Sequence, residues 1–486
     1  MSSSTPAAGG PGTSGVPMPK SKTTPYLIFV MLIVTLGSIQ YGYHLAELNA
    51  PQDVITCAKP GKSDSTSSSF PQCIPMNPAR FGLVSSSYTV GGFLGALLAG
   101  PLSTRYGRLL TIRLTTIFLF IGPDIATQAS SVNAFIAGRF ISGLGAGATV
   151  VVGPIFISEI APAHLRGFFG CFTQIGACVG ILIAQTVGLF LSYGAMWRVI
   201  LAVAAAIAIV ELLGLLFVPE SPIWLADRGK GVLARRILQK IRGKDANIEA
   251  EVATWNSNNS AARTEGTEEE SLLGQPAPTS SQQPAKEAEI TILGALLSPR
   301  YRPAIFAVLI VMVGQQFSGI NSIVMYSVSL LSPIFPTGAS LLVLFVSFIN
   351  LAMTVLCAPL SDKIGRKACI LYSFTGCIIS SVLLAIGISF DISIFGALGA
   401  LLFVASFAMG LGPVPFILAS ELVGPEAVGA AQSWALGANW VATFIIAQFF
   451  PLVNEALGGL IKVFVPETLG KEGMDEVWGW QDGHFD

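Results

Sequence analysis

Few side chains in this 486-residue sequence could do chemistry from inside an apolar setting. His44 closes the first apolar run, with Glu47 one helical turn on, and Arg139 sits inside the fourth run. An ionisable group within such a run is a functional candidate by default, and an imidazole titrates near neutral pH. The competing reading is structural, with Glu47 facing water and His44 donating a hydrogen bond. Gln315, Gln316 and Asn321 share one amphipathic stretch. Amides donate and accept alike, so these three either face a polar ligand or bond across helices as glue. Their spacing puts them on neighbouring faces, and a break near Gly319 would help aim them. His44, His164 and His484 are too far apart for a zinc site. No nucleophile, metal or nucleotide motif points to an enzyme, and no cofactor is expected.

The elements that must hold these groups follow from composition. Hydrophobic residues make up 52% and charged residues 11%, where a soluble domain carries about 25% charged residues. Net charge is −1 and mean hydropathy is +0.67. This balance excludes a soluble enzyme, a disordered chain and a nucleic-acid binder, which needs a basic excess. A polytopic helical membrane protein remains, with the lipid bilayer as its solvent. Runs long enough to span, about 20 residues each, lie at 26–46, 82–102, 110–130, 134–157, 170–192 and 197–218, then at 303–330, 338–360, 368–389, 393–419 and 430–453. A further apolar scrap at 456–465 is too short.

The expected organisation is a disordered tail at 1–25, an N-terminal membrane half at 26–218, cytoplasmic helices with a disordered linker at 219–302, a C-terminal half at 303–465, and a cytoplasmic tail at 466–486. With the N-terminus inside, inner segments hold 21 of the 27 Lys and Arg residues, which fixes the expected orientation. Five cysteines lie in apolar runs as packing residues. Cys57 and Cys73 share a polar outer loop and could pair if it faces an oxidising compartment.

The halves repeat. Pro101, Leu102, Ser103, Arg105, Gly107 and Arg108 recur as Pro359, Leu360, Ser361, Lys363, Gly365 and Arg366, at an offset of 258. Ser158 and Glu159 recur as Ser420 and Glu421, and Pro219 and Glu220 as Pro466 and Glu467. Parallel halves are the plan of a rocking transporter with a midplane site. Glu421 to Pro466 is 15 residues shorter than Glu159 to Pro219. The expected fold is therefore all-α, two six-helix halves with the last helix truncated. Either the transcript is shortened or the chain has eleven spans.

The chain resembles the sugar porters of the major facilitator superfamily, including facilitative glucose transporters and fungal hexose transporters. The matching segments are Gly37-Ser38-Ile39-Gln40-Tyr41-Gly42-Tyr43, Asn49-Ala50-Pro51-Gln52, Gly138-Arg139-Phe140, Pro219-Glu220-Ser221-Pro222, Gln315-Gln316-Phe317-Ser318-Gly319-Ile320-Asn321 and Pro466-Glu467-Thr468-Leu469-Gly470. The resemblance implies transport of a hexose-like monosaccharide by alternating access, with either uniport or proton symport. It implies a sugar site at Gln174, Gln315, Gln316, Asn321 and Asn350, lined by Phe416 and Trp440. Ala408 and Thr443 stand where glucose transporters carry Glu and Asn, so two hydrogen-bonding groups are lost or shortened. The resemblance also pairs Arg105, Arg108, Lys363, Arg366 and Lys367 with Glu159, Glu220, Glu421 and Glu467, adds Arg166 to the first cluster, and lets the pairs form as the inner side closes. Thr104, Leu109 and Val428 depart from that pattern. For coupling, His44 occupies the position that is acidic in symporters and Asn in uniporters, with Arg139 as partner.

Glu268-Glu269-Glu270-Ser271-Leu272-Leu273 resembles a vacuolar or lysosomal sorting signal, so the host membrane is the plasma membrane or an endomembrane. The rival functions are a non-transporting sugar sensor and an inactive truncated isoform. The oligomeric state is not legible.

Overall fold

The protein was described from a computed structural model. It describes residues 23–58, 71–249, 251–253, 292–332, 335, 338–357, 363–390, 392–423 and 427–464. The sorting-like segment, Glu467, residues 1–22 of the N-terminal tail and the whole C-terminal tail lie outside the described residues. Eleven helices among the described residues are long and apolar enough to cross a membrane. In the N-terminal half these are α1 (Pro25–Ala46), α2 (Pro78–Tyr106), α3 (Arg108–Gln128), α4 (Val132–Ile160), α5 (Arg166–Leu191) and α6 (Trp197–Leu215). Two surface helices follow, α7 (Pro222–Asp227) and α8 (Gly231–Arg242), then α9 (Ile292–Leu297). The C-terminal half holds α10 (Arg302–Phe317), α11 (Ile320–Leu331), α12 (Ala339–Cys357), α13 (Arg366–Ser389), α14 (Ser393–Met409), α15 (Val414–Glu421) and α16 (Val428–Phe464). The pairs α10–α11 and α14–α15 each make one interrupted span. The chain is thus an all-α, multi-pass membrane protein. The scrap at 456–465 does not form a span of its own. Its residues to Phe464 prolong α16, a 37-residue helix.

Local chemistry sets the helix starts. Thr24 accepts a hydrogen bond from the Leu27 amide ahead of Pro25, and Asn77 accepts from the Arg80 amide ahead of Pro78. Each cap satisfies an N–H that the helix leaves orphaned. Small residues set the packing. A Cβ on Gly143 would lie 2.0 Å from the Tyr88 carbonyl oxygen, and one on Gly147 1.9 Å from that of Gly92. The backbones of α2 and α4 therefore touch, the close approach that small residues permit between membrane helices. A Cβ on Gly42 of α1 would likewise meet the Ala177 carbonyl of α5 at 1.9 Å.

The internal repeat is visible in geometry. Gly107 and Gly365 hold the same backbone, φ +108° and +96°, at the same repeat position. Such torsions favour glycine, and each lets the chain reverse from one helix into the next. One end of the bundle carries these basic turns. The opposite end carries the Cys57–Cys73 disulfide. There Trp197 donates to the Gln72 carbonyl at 2.7 Å and Arg198 donates to the Pro71 carbonyl at 2.9 Å.

The halves also meet towards the disulfide end. Asn49 donates to the Val324 carbonyl and to Ser327 Oγ, both at 2.9 Å, and accepts from the Val328 amide at 3.0 Å. Ser86 Oγ donates to Gln448 Oε1 at 2.8 Å.

Candidate functional site

The break between α10 and α11 positions the central amides. Ser318 ends α10, Gly319 takes φ +98°, and Ile320 begins α11. Gln315 and Gln316 thereby stand on the last turn of one helix and Asn321 on the first turn of the next. The three amides contact one another. Asn321 Nδ2 donates to Gln316 Oε1 at 2.5 Å, and Gln316 Nε2 donates to Gln315 Oε1 at 3.3 Å. Gln315 Nε2 also reaches the Leu411 carbonyl at 2.5 Å, between α14 and α15.

Two further members come from α16. Asn439 Nδ2 donates to Gln315 Oε1 at 2.9 Å, and Asn321 Nδ2 donates to Thr443 Oγ1 at 3.2 Å. Asn439 was missed in the sequence, although an amide beside Trp440 and four residues before Thr443 gave the signal. All five polar side chains are buried. They form a set of groups that can trade internal bonds for a ligand's hydroxyls, since each amide offers both donors and acceptors. Ala408, also buried, adds no polar group.

Trp440 is buried at the seam between the halves. Its ring meets Tyr41 of α1 and Tyr88 of α2 edge-on, with centroids 6.0 and 6.1 Å apart. Its edge fills the space over Gly92, where a Cβ would come within 2.4 Å of the indole. The other expected lining residues are more dispersed. Asn350 of α12 is buried and shares a narrow gap with Gln185 of α5 and Ser347. Gln185, three turns along α5 from Gln174, was also missed. Gln174 is half-buried and points its amide at Cys178, whose thiol is 3.5 Å from Thr354 of α12. Phe416 is half-buried against Val308, Met312, Ala419 and Ala435, a packing position.

The ionisable trio does come together. Arg139 pairs with Glu47 through Nη1, and its Nη2 donates to the His44 carbonyl at 3.0 Å. His44 Nδ1 lies 3.0 Å from the same Glu47 oxygen. Their side chains are at most 2% exposed. Glu47 therefore does not face water, which removes that version of the structural reading. His44 Nε2 and Glu47 Oε2 are buried without a hydrogen-bond partner. A buried charge pair of this kind is stable only while both partners remain.

The charged residues at the basic end divide. Arg108 makes a forked contact with Glu159, Nε and Nη2 reaching Oε1 at 3.1 and 2.9 Å. Arg366 forks onto both oxygens of Glu421, Nε reaching Oε2 at 3.1 Å and Nη2 reaching Oε1 at 2.9 Å. Each pair stays within one half and is formed while the halves are hydrogen-bonded towards the other end. These are two of the pairings that the resemblance implies, and each joins helices of its own half. Glu220 differs. It accepts from the backbone amides of Arg108 and Leu109, both at 3.0 Å. A carboxylate at a helix N-terminus satisfies orphan donors and the dipole, which is why it sits there rather than on a guanidinium. Arg105 lies over the Tyr106 ring. Arg166, Lys363 and Lys367 are exposed.

Comparison with known proteins agrees with this architecture. The family described as sugar (and other) transporters matches residues 30–467. A probable metabolite transport protein of Saccharomyces cerevisiae is 31% identical, covering 94% of this chain and 96% of its own. Vacuolar protein sorting-associated protein 73 of the same yeast is 32% identical over 92% of each chain. Facilitated glucose transporter member 3 of Ovis aries is 29% identical, covering 93% of this chain and 92% of its own. Among solved structures, the partially occluded inward-open xylose transporter XylE from E. coli superposes with a TM-score of 0.68 at 26% identity, covering 93% of this chain and all of that one. The paired halves, the eleven spans and the buried polar centre are those of a membrane transporter rather than an enzyme, and the chain belongs to the sugar (and other) transporter family of the major facilitator superfamily.

Proposed function

We propose that this protein carries a hexose-like monosaccharide across a membrane by rocking its two halves about the central amides. The observation that carries the reading is the buried set of Gln315, Gln316, Asn321, Asn439 and Thr443 beside the Trp440 ring. A sugar needs donors and acceptors on its rim and an apolar face to stack on, and this set supplies both. Relatives named as glucose transporters and a neighbour named as a xylose transporter support a sugar as cargo. Ala408 leaves one hydroxyl without a partner, which narrows the sugars that bind well. With the basic end in the cytoplasm, as the positive residues favour, the contacts of Asn49 and Ser86 join the halves on the outer side.

The His44, Glu47 and Arg139 cluster is the proposed proton-coupling element. It lies in the N-terminal half, and Tyr88 connects Arg139 to Trp440 at the seam. The intracellular pairs Arg108–Glu159 and Arg366–Glu421 brace each half as a rigid body while it rocks. The test is counterflow of labelled hexoses and pentoses in proteoliposomes. Accelerated uptake of at least one sugar, lost in Gln315→Leu, is the expected result. Binding without counterflow would make the protein a sensor instead. His44→Asn should abolish the pH dependence of net uptake and leave exchange intact, and unchanged pH dependence would remove His44 from the coupling path.

A further inference from the structure

A second ionisable group lies in the N-terminal half, apart from the His44 cluster. Glu211 of α6 is fully buried, at 0% exposure. Its Oε2 receives Gln40 Nε2 of α1 at 2.6 Å. Gln40 is also buried, and the remaining oxygens, Glu211 Oε1 and Gln40 Oε1, have no hydrogen-bond partner. Glu211 appears in no segment that carries the family resemblance.

Among the described residues the surroundings of the carboxyl hold no counter-charge. From α1 come Gln40 and Gly37, whose missing side chain leaves room: a Cβ there would lie 3.1 Å from Glu211 Oε1. From α3 comes the Thr116 hydroxyl. Arg113 of α3 reaches the level one turn on, but its Nη2 donates to the Leu215 carbonyl at 2.8 Å. From α4 comes Thr149, whose hydroxyl donates to Thr115 Oγ1 at 3.2 Å. His44, one turn along α1 from Gln40, is turned to Glu47. Among the described residues no ion pair reaches Glu211.

A carboxylate with a neutral amide as its partner is an unpaired buried charge, the least tolerated state inside a membrane protein. The amide, however, serves either form. Its Nε2 donates to a carboxylate, and after a half-turn its Oε1 accepts from a carboxylic acid, for which 2.6 Å is an ordinary O–H···O length. In the acid form the groups left without a partner, the Glu211 carbonyl oxygen and the turned Gln40 amide nitrogen, are both neutral, which is milder than leaving half a carboxylate bare.

We propose that Glu211 is a proton-binding site, its acid form held by Gln40 while the N-terminal half is packed round it. The proton comes from bulk water, forms the O–H bond on Oε2, and returns to water when the half opens there. Gln40 shares α1 with His44, so loading of this site is felt on the helix that carries the proposed coupling cluster. That use in transport rests on the proposed function, whereas occupancy by a proton does not.

The experiment is pH-difference infrared spectroscopy of the full chain in lipid nanodiscs, reading the C=O stretch of protonated carboxyls. The wild type should keep one such band at neutral pH, after exposed carboxyls have lost theirs. Glu211→Gln, which preserves shape, should lose that band completely. Gln40→Leu should keep the band and shift its frequency, because the acid has lost its acceptor. No neutral-pH band in the wild type, or an undiminished band in Glu211→Gln, overturns the site. An unshifted band in Gln40→Leu overturns the role of Gln40. Sugar counterflow measured on the same preparations judges the proposed function separately: its failure in the wild type leaves the infrared result to decide the proton site alone.

Discussion

Arg139 stacks on Tyr88, with its guanidinium carbon 4.6 Å from the ring centroid. The same ring touches Trp440 edge-on at 6.1 Å, so one tyrosine spans from the buried ion cluster to the seam between halves. A cation over an aromatic face contributes about 0.5–2 kcal/mol, depending on desolvation, and an edge-to-face pair about 0.5–1.5 kcal/mol. Tyr88→Leu should therefore lower the thermal midpoint and weaken sugar half-saturation several-fold. Tyr88→Phe keeps both ring contacts and loses only the hydroxyl's bond to the Tyr41 carbonyl, so it should stay close to wild type. Counterflow kinetics on the two variants decide the matter. Equal affinities for Leu and wild type would show that the ion cluster and the seam are independent.

Glu47 supplies the one carboxylate contact of Arg139 among the described residues. Glu47→Gln would leave a guanidinium buried without its counter-charge, at a cost of about 3–5 kcal/mol. Replacing both partners is milder, because no charge is stranded. Glu47→Gln should lower the unfolding midpoint in detergent sharply, and Glu47→Leu with Arg139→Met should recover most of that loss. A single variant no less stable than the double one would mean that the pair is solvated after all.

The fold was legible because lipid demands long apolar runs, and composition exposes them directly. The central amides Gln315, Gln316 and Asn321 were legible for a similar reason, as polar exceptions in a span beside a glycine that could break it. Gln185, Asn439 and Glu211 were not found. Each is a single polar residue whose partner lies on a distant helix: Gln40 is 171 residues from Glu211, and Gln315 is 124 from Asn439. Spacing within one helix carries no information about which distant residue each one meets, although Asn439 beside Trp440 and Glu211 inside an apolar run stood out singly. Glu220 was placed on a guanidinium by its motif, yet the open N-terminus of α3 offers it two aligned amides.

The two repeat-related ion pairs have like geometry but unlike surroundings. Arg108 and Glu159 are 14% and 12% exposed, whereas Arg366 and Glu421 are 25% and 45% exposed. Exposed pairs contribute about 0–1 kcal/mol because water and salt screen them. Double-mutant cycles on thermal unfolding should give a coupling for Arg108–Glu159 at least twice that for Arg366–Glu421, with weaker salt dependence. Equal couplings would show that the shallower burial in the C-terminal half makes no energetic difference.

Gly319 separates a torsional effect from a steric one. Its φ is +98°, and nothing lies within 4 Å of the position a Cβ would take. Any substitution there is limited by backbone preference alone. An ordinary L-residue in the left-handed region costs about 1–2 kcal/mol, and Asn is better tolerated there than Ala. Relaxing that torsion would turn Asn321 away from Gln316, which it meets at 2.5 Å across the break. Gly319→Ala should thus weaken sugar binding more than Gly319→Asn, although Asn is the larger side chain. Ligand titration of both variants in detergent reads the order. If Ala binds sugar as well as glycine does while Asn fails, bulk rather than torsion governs the site, and the break is not what aims the amides.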